Sequence, residues 1–244
     1  VHDVRWVVGK VPKRRQTLFF SATMSPVVTS LASTMLTNPH TVSVAPPATV
    51  ADNIDQQVMF VEKAHKRDLL ADILRKAEVG RTLVFTRTKH GASRVARQLE
   101  QRGIRAEAIH GNKTQGQRQR ALASFEKGRT RVLVATDIVS RGIDVEGITH
   151  VINYELPEDA ENYVHRIGRT ARAGHNGVAV SLCDLEEVSL LRGIERLTRI
   201  PLTVTEDHRW HAPSIAACRD AAKRVARTQA RAGSRRGSGS KWAR

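Results

Sequence analysis

The stretch His165-Arg166-Ile167-Gly168-Arg169-Thr170-Ala171-Arg172-Ala173-Gly174 places Arg166, Arg169 and Arg172 at intervals of three. In a helical turn that spacing stacks the three side chains on one face. Arginine keeps its charge at ordinary pH and offers a rigid fork of donors to phosphate oxygens. The chemistry such a cluster suits is a grip on a nucleotide's terminal phosphates or on a polynucleotide backbone.

A second set of polar residues follows short apolar runs. Phe85 leads into Thr86-Arg87-Thr88-Lys89, and Ile109 into His110-Gly111-Asn112-Lys113. Ala135 leads into Thr136-Asp137, then Ser140-Arg141-Gly142-Ile143-Asp144. Hydroxyls, backbone donors and cations hold phosphates without reading bases, and aromatics at 4% leave few stacking platforms. Gly111 and Gly142 are read as allowing tight turns or close ligand approach. A carboxylate such as Asp137 or Asp144 accepts both hydroxyls of a ribose or pins an arginine, and spacing does not separate these roles.

Two look-alikes are set aside. Gly111-Asn112-Lys113-Thr114 resembles the end of a phosphate-binding loop, but Asn112 and Glu107 occupy the positions where that loop needs glycine. Asp184-Leu185-Glu186-Glu187 follows an apolar run as a magnesium-binding carboxylate would. It reads instead as surface carboxylates opening a helix. His110 and His165 show no closed metal-ligand pattern and are expected to form hydrogen bonds.

The elements that must position these groups alternate regularly from Gln57 onward. Strands are predicted at 57–61, 81–85, 105–109, 131–135, 151–154 and 177–182. Helices are predicted at 65–76, 88–101, 115–126, 160–167 and 186–197. Apolar runs of four to six residues separated by longer helices mean parallel strands covered on both faces. The expected fold is a three-layer α/β domain, and its ligands gather beyond the C-terminal ends of the strands. Upstream, Thr17–Phe20 reads as a buried strand, Ser25 to Met35 as a helix with Pro26 in its first turn, and Val42–Val44 as a short strand. The spans are 1–45, a linker at 46–52, the main domain at 53–207 and a basic extension at 208–244. In that extension a helix is predicted over 216–232 and disorder beyond Gly233.

The 244 residues carry a formal net charge of +16. Residues 1–51 hold five basic side chains against one acidic, 52–207 hold 25 against 22, and 208–244 hold ten against one. Basic ends around a nearly balanced middle imply a polyanionic partner, most simply nucleic acid. Cys183 and Cys218 have no metal-ligand spacing and fit free thiols in a reducing compartment. No run approaches 18 apolar residues, so no segment reads as membrane-spanning. A cytoplasmic setting is expected.

The ordered motifs give the chain a specific resemblance over roughly residues 14–182. It is similar to the C-terminal part of DEAD-box ATP-dependent RNA helicases, most of all the RhlE-type group. Ser21-Ala22-Thr23 resembles the family's third motif, Leu83 to Lys89 its fourth, and Ile109 to Lys113 with Gln115 and Arg118 the pattern that follows. Ala135 to Asp144 resembles the fifth motif and His165 to Gly174 the sixth. Ala171 stands where glycine is usual.

The resemblance implies a RecA-like second domain, with residues 1–45 ending the first. The rest of that N-terminal RecA-like domain, with its phosphate-binding loop and Asp-Glu-Ala-Asp box, is expected upstream of Val1. It implies ATP and magnesium as cofactors of the complete enzyme, neither bound tightly by this fragment, which is expected to be inactive as an ATPase alone. Arg169 and Arg172 are implied at the terminal phosphate, Arg172 as arginine finger, and Asp144 at the ribose. Arg87, Gly111, Gln115, Arg118, Thr136 and Arg141 are implied along the RNA backbone. Ser21, Thr23, His165 and Arg166 are implied in coupling the domains. RNA is the implied partner, with ribonucleoprotein or RNA-decay proteins beside it. Two other classes compete: a noncatalytic RNA-binding or protein-docking module, and a DNA helicase domain. Weak RNA binding indifferent to nucleotide marks the first, and competition between matched RNA and DNA strands tests the second.

Overall fold

A computed structural model describes residues 2–21, 24, 26–42, 53–140, 143–172 and 174–219. The chain divides into two compact units, Val1–Thr49 and Val50–Arg244.

The first unit contains α1 (His2–Val8), which buries none of its residues, and α2 (Pro26–Ser33), which buries Leu31 and Ala32. Pro26 opens α2, where its missing N–H has no intrahelical partner to lose. Thr17–Phe20 does not form the expected strand. Leu18 is 68% and Phe20 88% exposed. A strand needs a neighbour to take its backbone groups, and no strand is present among the described residues of this unit. Val42 is likewise exposed and outside any strand, while 43 and 44 lie outside the described residues.

The second unit follows the alternation expected. In chain order it runs β1 (Ile54–Phe60), α3 (Lys66–Arg75), β2 (Thr82–Phe85), α4 (Lys89–Glu100), β3 (Ala106–Ile109), α5 (Gln115–Glu126), β4 (Val132–Ala135), α6 (Asp137–Ser140), β5 (His150–Asn153), α7 (Ala160–Ile167), β6 (Gly177–Cys183), α8 (Val188–Thr198) and β7 (Thr203–Val204). The seven strands form one sheet in the order β3-β4-β2-β5-β6-β1-β7, and every strand pair is parallel. All residues of β2, β4 and β5 are buried, as a sheet covered on both faces requires.

One face packs against α3 and α4 through Leu69, Leu70, Leu74, Val95 and Leu99. The other packs against α5 through Ala121 and Phe125, and against α7 and α8 through Tyr163, Ile167, Leu191 and Ile194. Helix starts are set locally. Thr88 Oγ1 accepts the Gly91 amide at 3.0 Å before α4. Thr114 and Gln117 bond reciprocally at the start of α5, at 3.0 and 3.3 Å, a capping box.

The packed structure runs past residue 207. Ala212 and Ile215 are buried against β1 and α8, and the Ala212 amide donates to Phe60 O at 3.0 Å. Trp210 stacks on His65 with 4.6 Å between ring centroids and donates from Nε1 to Asp72 at 2.8 Å. Arg219 is buried, paired with Glu195, and donates to Leu202 O at 3.0 Å. A helix occupies 213–219, and the remainder of the 216–232 prediction lies outside the described residues. Residues 208–219 thus belong to the folded body rather than to a separate extension.

Candidate nucleotide and nucleic-acid interface

Parallel strands send all their C-terminal ends to one edge of the sheet. Three neighbours, β3, β4 and β2, deliver Gly111, Thr136 and Arg87 there side by side. Gly111 is exposed, and a Cβ built on it meets nothing within 4 Å. Its φ is not positive, so the turn itself does not require glycine. Its missing side chain leaves bare backbone open to close approach. Thr136 is buried, and its carbonyl accepts the amides of Val139 and Ser140 at 3.2 and 3.1 Å. On α5, Gln115 is exposed in the first turn and Arg118 is half-buried, with Nε unpartnered among the described residues. His110 bonds Ser93 Oγ through Nε2 at 2.8 Å. Burial, then the nearby Lys113, lowers its pKa. Arg141 and Gly142 lie outside the described residues, as does Thr23, while Ser21 is exposed in the first unit.

The three arginines of 165–174 do not share a face. Helix α7 ends at Ile167, with Gly168 as its C-cap, so the helical register stops between the first and second arginine. Arg166 turns inward and is 1% exposed. Its Nε and Nη2 hold both oxygens of Asp137 at 2.6 and 2.9 Å, and Nη1 donates to Asn153 Oδ1 at 3.2 Å and Glu155 O at 2.6 Å. The guanidinium lies 5.0 Å from the Phe85 ring centroid. Four of its five donor sites are therefore spent inside the domain. Within this domain Arg166 is an internal clamp between the β4, β5 and α7 ends. Asp137 accordingly pins an arginine. His165 sits half-buried on α7.

Arg169 and Arg172 are placed differently. Arg169 is half-buried, with Nη1 donating to Ile143 O at 3.0 Å and Nε to His165 O at 3.3 Å. Burial, then the neighbouring Arg172, lowers its pKa, and Asp144 opposes them. Arg172 donates from Nε to Gly168 O at 3.1 Å and pairs with Asp144. That pair stands at the surface: the side chains of Arg172 and Asp144 are 29% and 92% exposed. Neither arginine is sealed in an internal ion pair.

Ala171 adopts φ +57°, a left-handed conformation that glycine takes without penalty. It packs against Gly177, where an added Cβ would stand 2.9 Å from the Ala171 amide nitrogen. The missing side chain at 177 is what lets the turn 170–171 lie against the start of β6.

Asp184 and Glu187 are not surface carboxylates. They are 4% and 0% exposed, and Lys66, itself buried, pairs with both, at 3.0 Å to Asp184. Asp184 Oδ1 also caps the turn by accepting the Glu186 amide at 3.0 Å. Burial raises the Glu187 carboxyl pKa, with Lys66 opposing. Sequence reading missed this cluster, whose members lie 121 residues apart. Among the described residues no group of three His, Cys, Asp or Glu side chains is placed to hold a metal ion. No helix among them is long and apolar enough to cross a membrane.

A three-layer unit on an all-parallel sheet, with a surface arginine–carboxylate pair beyond the strand ends, is the architecture of a RecA-like domain. Comparison with known proteins agrees. Residues 65–174 match the helicase conserved C-terminal domain. The chain is 41% identical over 199 residues to the DEAD-box ATP-dependent RNA helicase CshA of Bacillus subtilis, covering 82% of this chain and 40% of that protein. Among solved structures it is similar to E. coli SrmB bound to regulator of ribonuclease activity A, with TM-score 0.58, 36% identity, and coverage of 62% of this chain and 90% of that one. It is also similar to S. cerevisiae Dbp5 bound to RNA and ADP BeF3, with TM-score 0.75, 31% identity, and coverage of 82% and 53%. The chain belongs to the DEAD-box helicases and carries their C-terminal domain. It spans about two fifths of the length of these CshA relatives. Their names support the family and not the RhlE-type subgroup.

Proposed function

We propose that the whole protein is an ATP-dependent RNA helicase and that this chain supplies the second wall of its nucleotide site and half of its RNA path. The observation that carries this reading is the exposed Arg172–Asp144 pair beside half-buried Arg169. These groups fit a nucleotide: two guanidinium forks suit its phosphates and the carboxylate suits its ribose hydroxyls.

ATP, when bound, supplies the phosphoanhydride bond whose cleavage drives the cycle, with magnesium held by the first domain. The chain's own residues orient and neutralise. In this structure Asp144 and Arg172 hold each other. Engagement of a nucleotide exchanges that contact for Asp144 on the ribose and Arg172 on the terminal phosphate. Backbone bonds to Gly168 O, Ile143 O and His165 O fix both guanidinium groups beforehand, so little ordering is needed at the moment charge develops. Along the neighbouring strand ends, Arg87, Gly111 and Thr136 meet RNA, with Gln115, Arg118 and Arg141 beside them. Contacts to phosphate and sugar position the strand without reading its bases. Ser21, Thr23 and His165 transmit closure between the domains. Ribonucleoprotein and RNA-decay proteins are proposed partners. One buried and one exposed free thiol fit a reducing, cytoplasmic setting.

The test is ATP turnover by the full-length protein and its Arg172→Ala variant. RNA-stimulated turnover should fall about 10³- to 10⁵-fold, the range an arginine finger supplies. This chain alone, whose sequence holds no phosphate-binding loop, should show none. Full activity in the variant, or Arg172-dependent turnover by this chain alone, would refute the reading.

A further inference from the structure

Arg87 is held from two sides. Its backbone amide donates to Glu155 Oε2 at 2.7 Å. Its guanidinium Nη2 stands 3.5 Å from Glu187 Oε1, an atom that also accepts the Leu156 amide at 3.1 Å. The other oxygen, Oε2, takes the Lys66 ammonium. The Lys66 ammonium, the Arg87 guanidinium and the Leu156 amide all face Glu187 with donors, as suits an ionised carboxylate. Lys66 is fixed in turn by Asp184 at 3.0 Å. Glu187 and Lys66 are both buried, while the Arg87 side chain keeps 29% of its surface. The arrangement is a buried, charge-balanced socket with one cation, Arg87, emerging at the sheet edge beside Thr136 and Gly111.

We infer that Glu187 is a positioning residue for RNA binding: it sets the direction in which Arg87 presents its guanidinium, and Lys66 fixes Glu187. This rests on the reading of Arg87 as an RNA contact and adds to it a residue outside every motif of the resemblance. The physical reason is entropic as well as electrostatic. A free arginine on a loop must lose its rotamer freedom when it meets a phosphate. One steered by a buried carboxylate 3.5 Å from Nη2 has less of it to lose and keeps its remaining donors for the ligand. Glu187 itself, with no exposed surface, cannot touch RNA.

A double-mutant cycle tests this. The 244-residue chain and its Arg87→Ala, Glu187→Gln and doubly substituted variants are titrated against a labelled single-stranded oligouridine at several salt concentrations. Glu187→Gln is nearly isosteric and still accepts the Leu156 amide. It should weaken binding by about fivefold, and Arg87→Ala by about tenfold, the loss of one charged hydrogen bond. The double variant should be no weaker than Arg87→Ala, because Glu187 acts only through Arg87. Arg87→Ala and the double variant should lower the logarithmic salt slope by about 0.7, one phosphate contact on a single strand, and Glu187→Gln by part of that. A purely structural role for Glu187 would lower stability without changing that slope. Multiplying losses in the double variant, or wild-type affinity in Glu187→Gln, overturns the positioning role while leaving Arg87 in the RNA path. Wild-type affinity in Arg87→Ala overturns both. Should Glu187→Gln not fold, Glu187→Asp, which keeps the charge beside Lys66 but withdraws it from Arg87, carries the same comparison.

Discussion

Replacing Arg166 with methionine removes the guanidinium while retaining most of the side-chain volume. In the structure that group bonds Asp137 twice, Asn153 and the Glu155 carbonyl, and stacks on Phe85. Removing one partner of a buried ion pair costs about 3–5 kcal/mol. The Asp137 side chain is 26% exposed, so water reaches the orphaned carboxylate and the lower end applies. The lost cation–π contact adds about 1 kcal/mol. The expected destabilisation is thus about 3–4 kcal/mol. With a urea slope of about 2.5 kcal/mol/M, the midpoint falls by about 1.2–1.6 M. Urea denaturation followed by far-ultraviolet circular dichroism reads this directly, since the seven-stranded unit contributes most of the signal. A change under about 1 kcal/mol, at unchanged slope, would refute the internal clamp.

Two further outcomes follow from local features. Ala171→Gly should stabilise the domain by about 1 kcal/mol, because the left-handed backbone at 171 is strained for alanine and free for glycine. Thermal unfolding should rise by about 2–4 °C, and a fall would show that the turn is not strained. Deleting 220–244, with eight basic residues against one acidic, should weaken RNA binding and flatten its salt dependence while leaving the melting temperature unchanged. Unaltered affinity and slope would exclude the tail from binding. The cut belongs after Arg219, since a deletion from 212 would also remove Ala212 and Ile215 from the core.

The alternation of strands and helices was legible because parallel strands buried on both faces leave continuous apolar runs, such as Leu83–Phe85 and Val132–Ala135. The site's location followed from the same fact, since parallel strands end together. What the sequence hid were relations across distance. Arg166 matches Arg169 and Arg172 in type and spacing, yet its fate depends on Asp137, 29 residues away, and on a helix that stops at Ile167. Asp184 and Glu187 read as surface carboxylates until the fold brings them to Lys66. The Ala- and Arg-rich stretch after Trp210 has weak periodicity, so its packing on Phe60 was invisible. Thr17–Phe20 shows the converse: an apolar run states a preference for strand, but only a neighbour's backbone can satisfy it.

The position of β1 bears on how this domain is made. The first strand of the second unit lies between β6 and β7, in register from Ile54 against Gly177 to Val58 against Val204. Both of its partners are therefore synthesised more than a hundred residues later. During translation both long edges of β1 wait without these hydrogen-bonding partners, and the Phe60 carbonyl waits for the Ala212 amide. Pairing of such distant segments is slow, and open strand edges invite contact with other chains. A nascent domain of this topology therefore depends on whatever shields β1 until its last residues emerge.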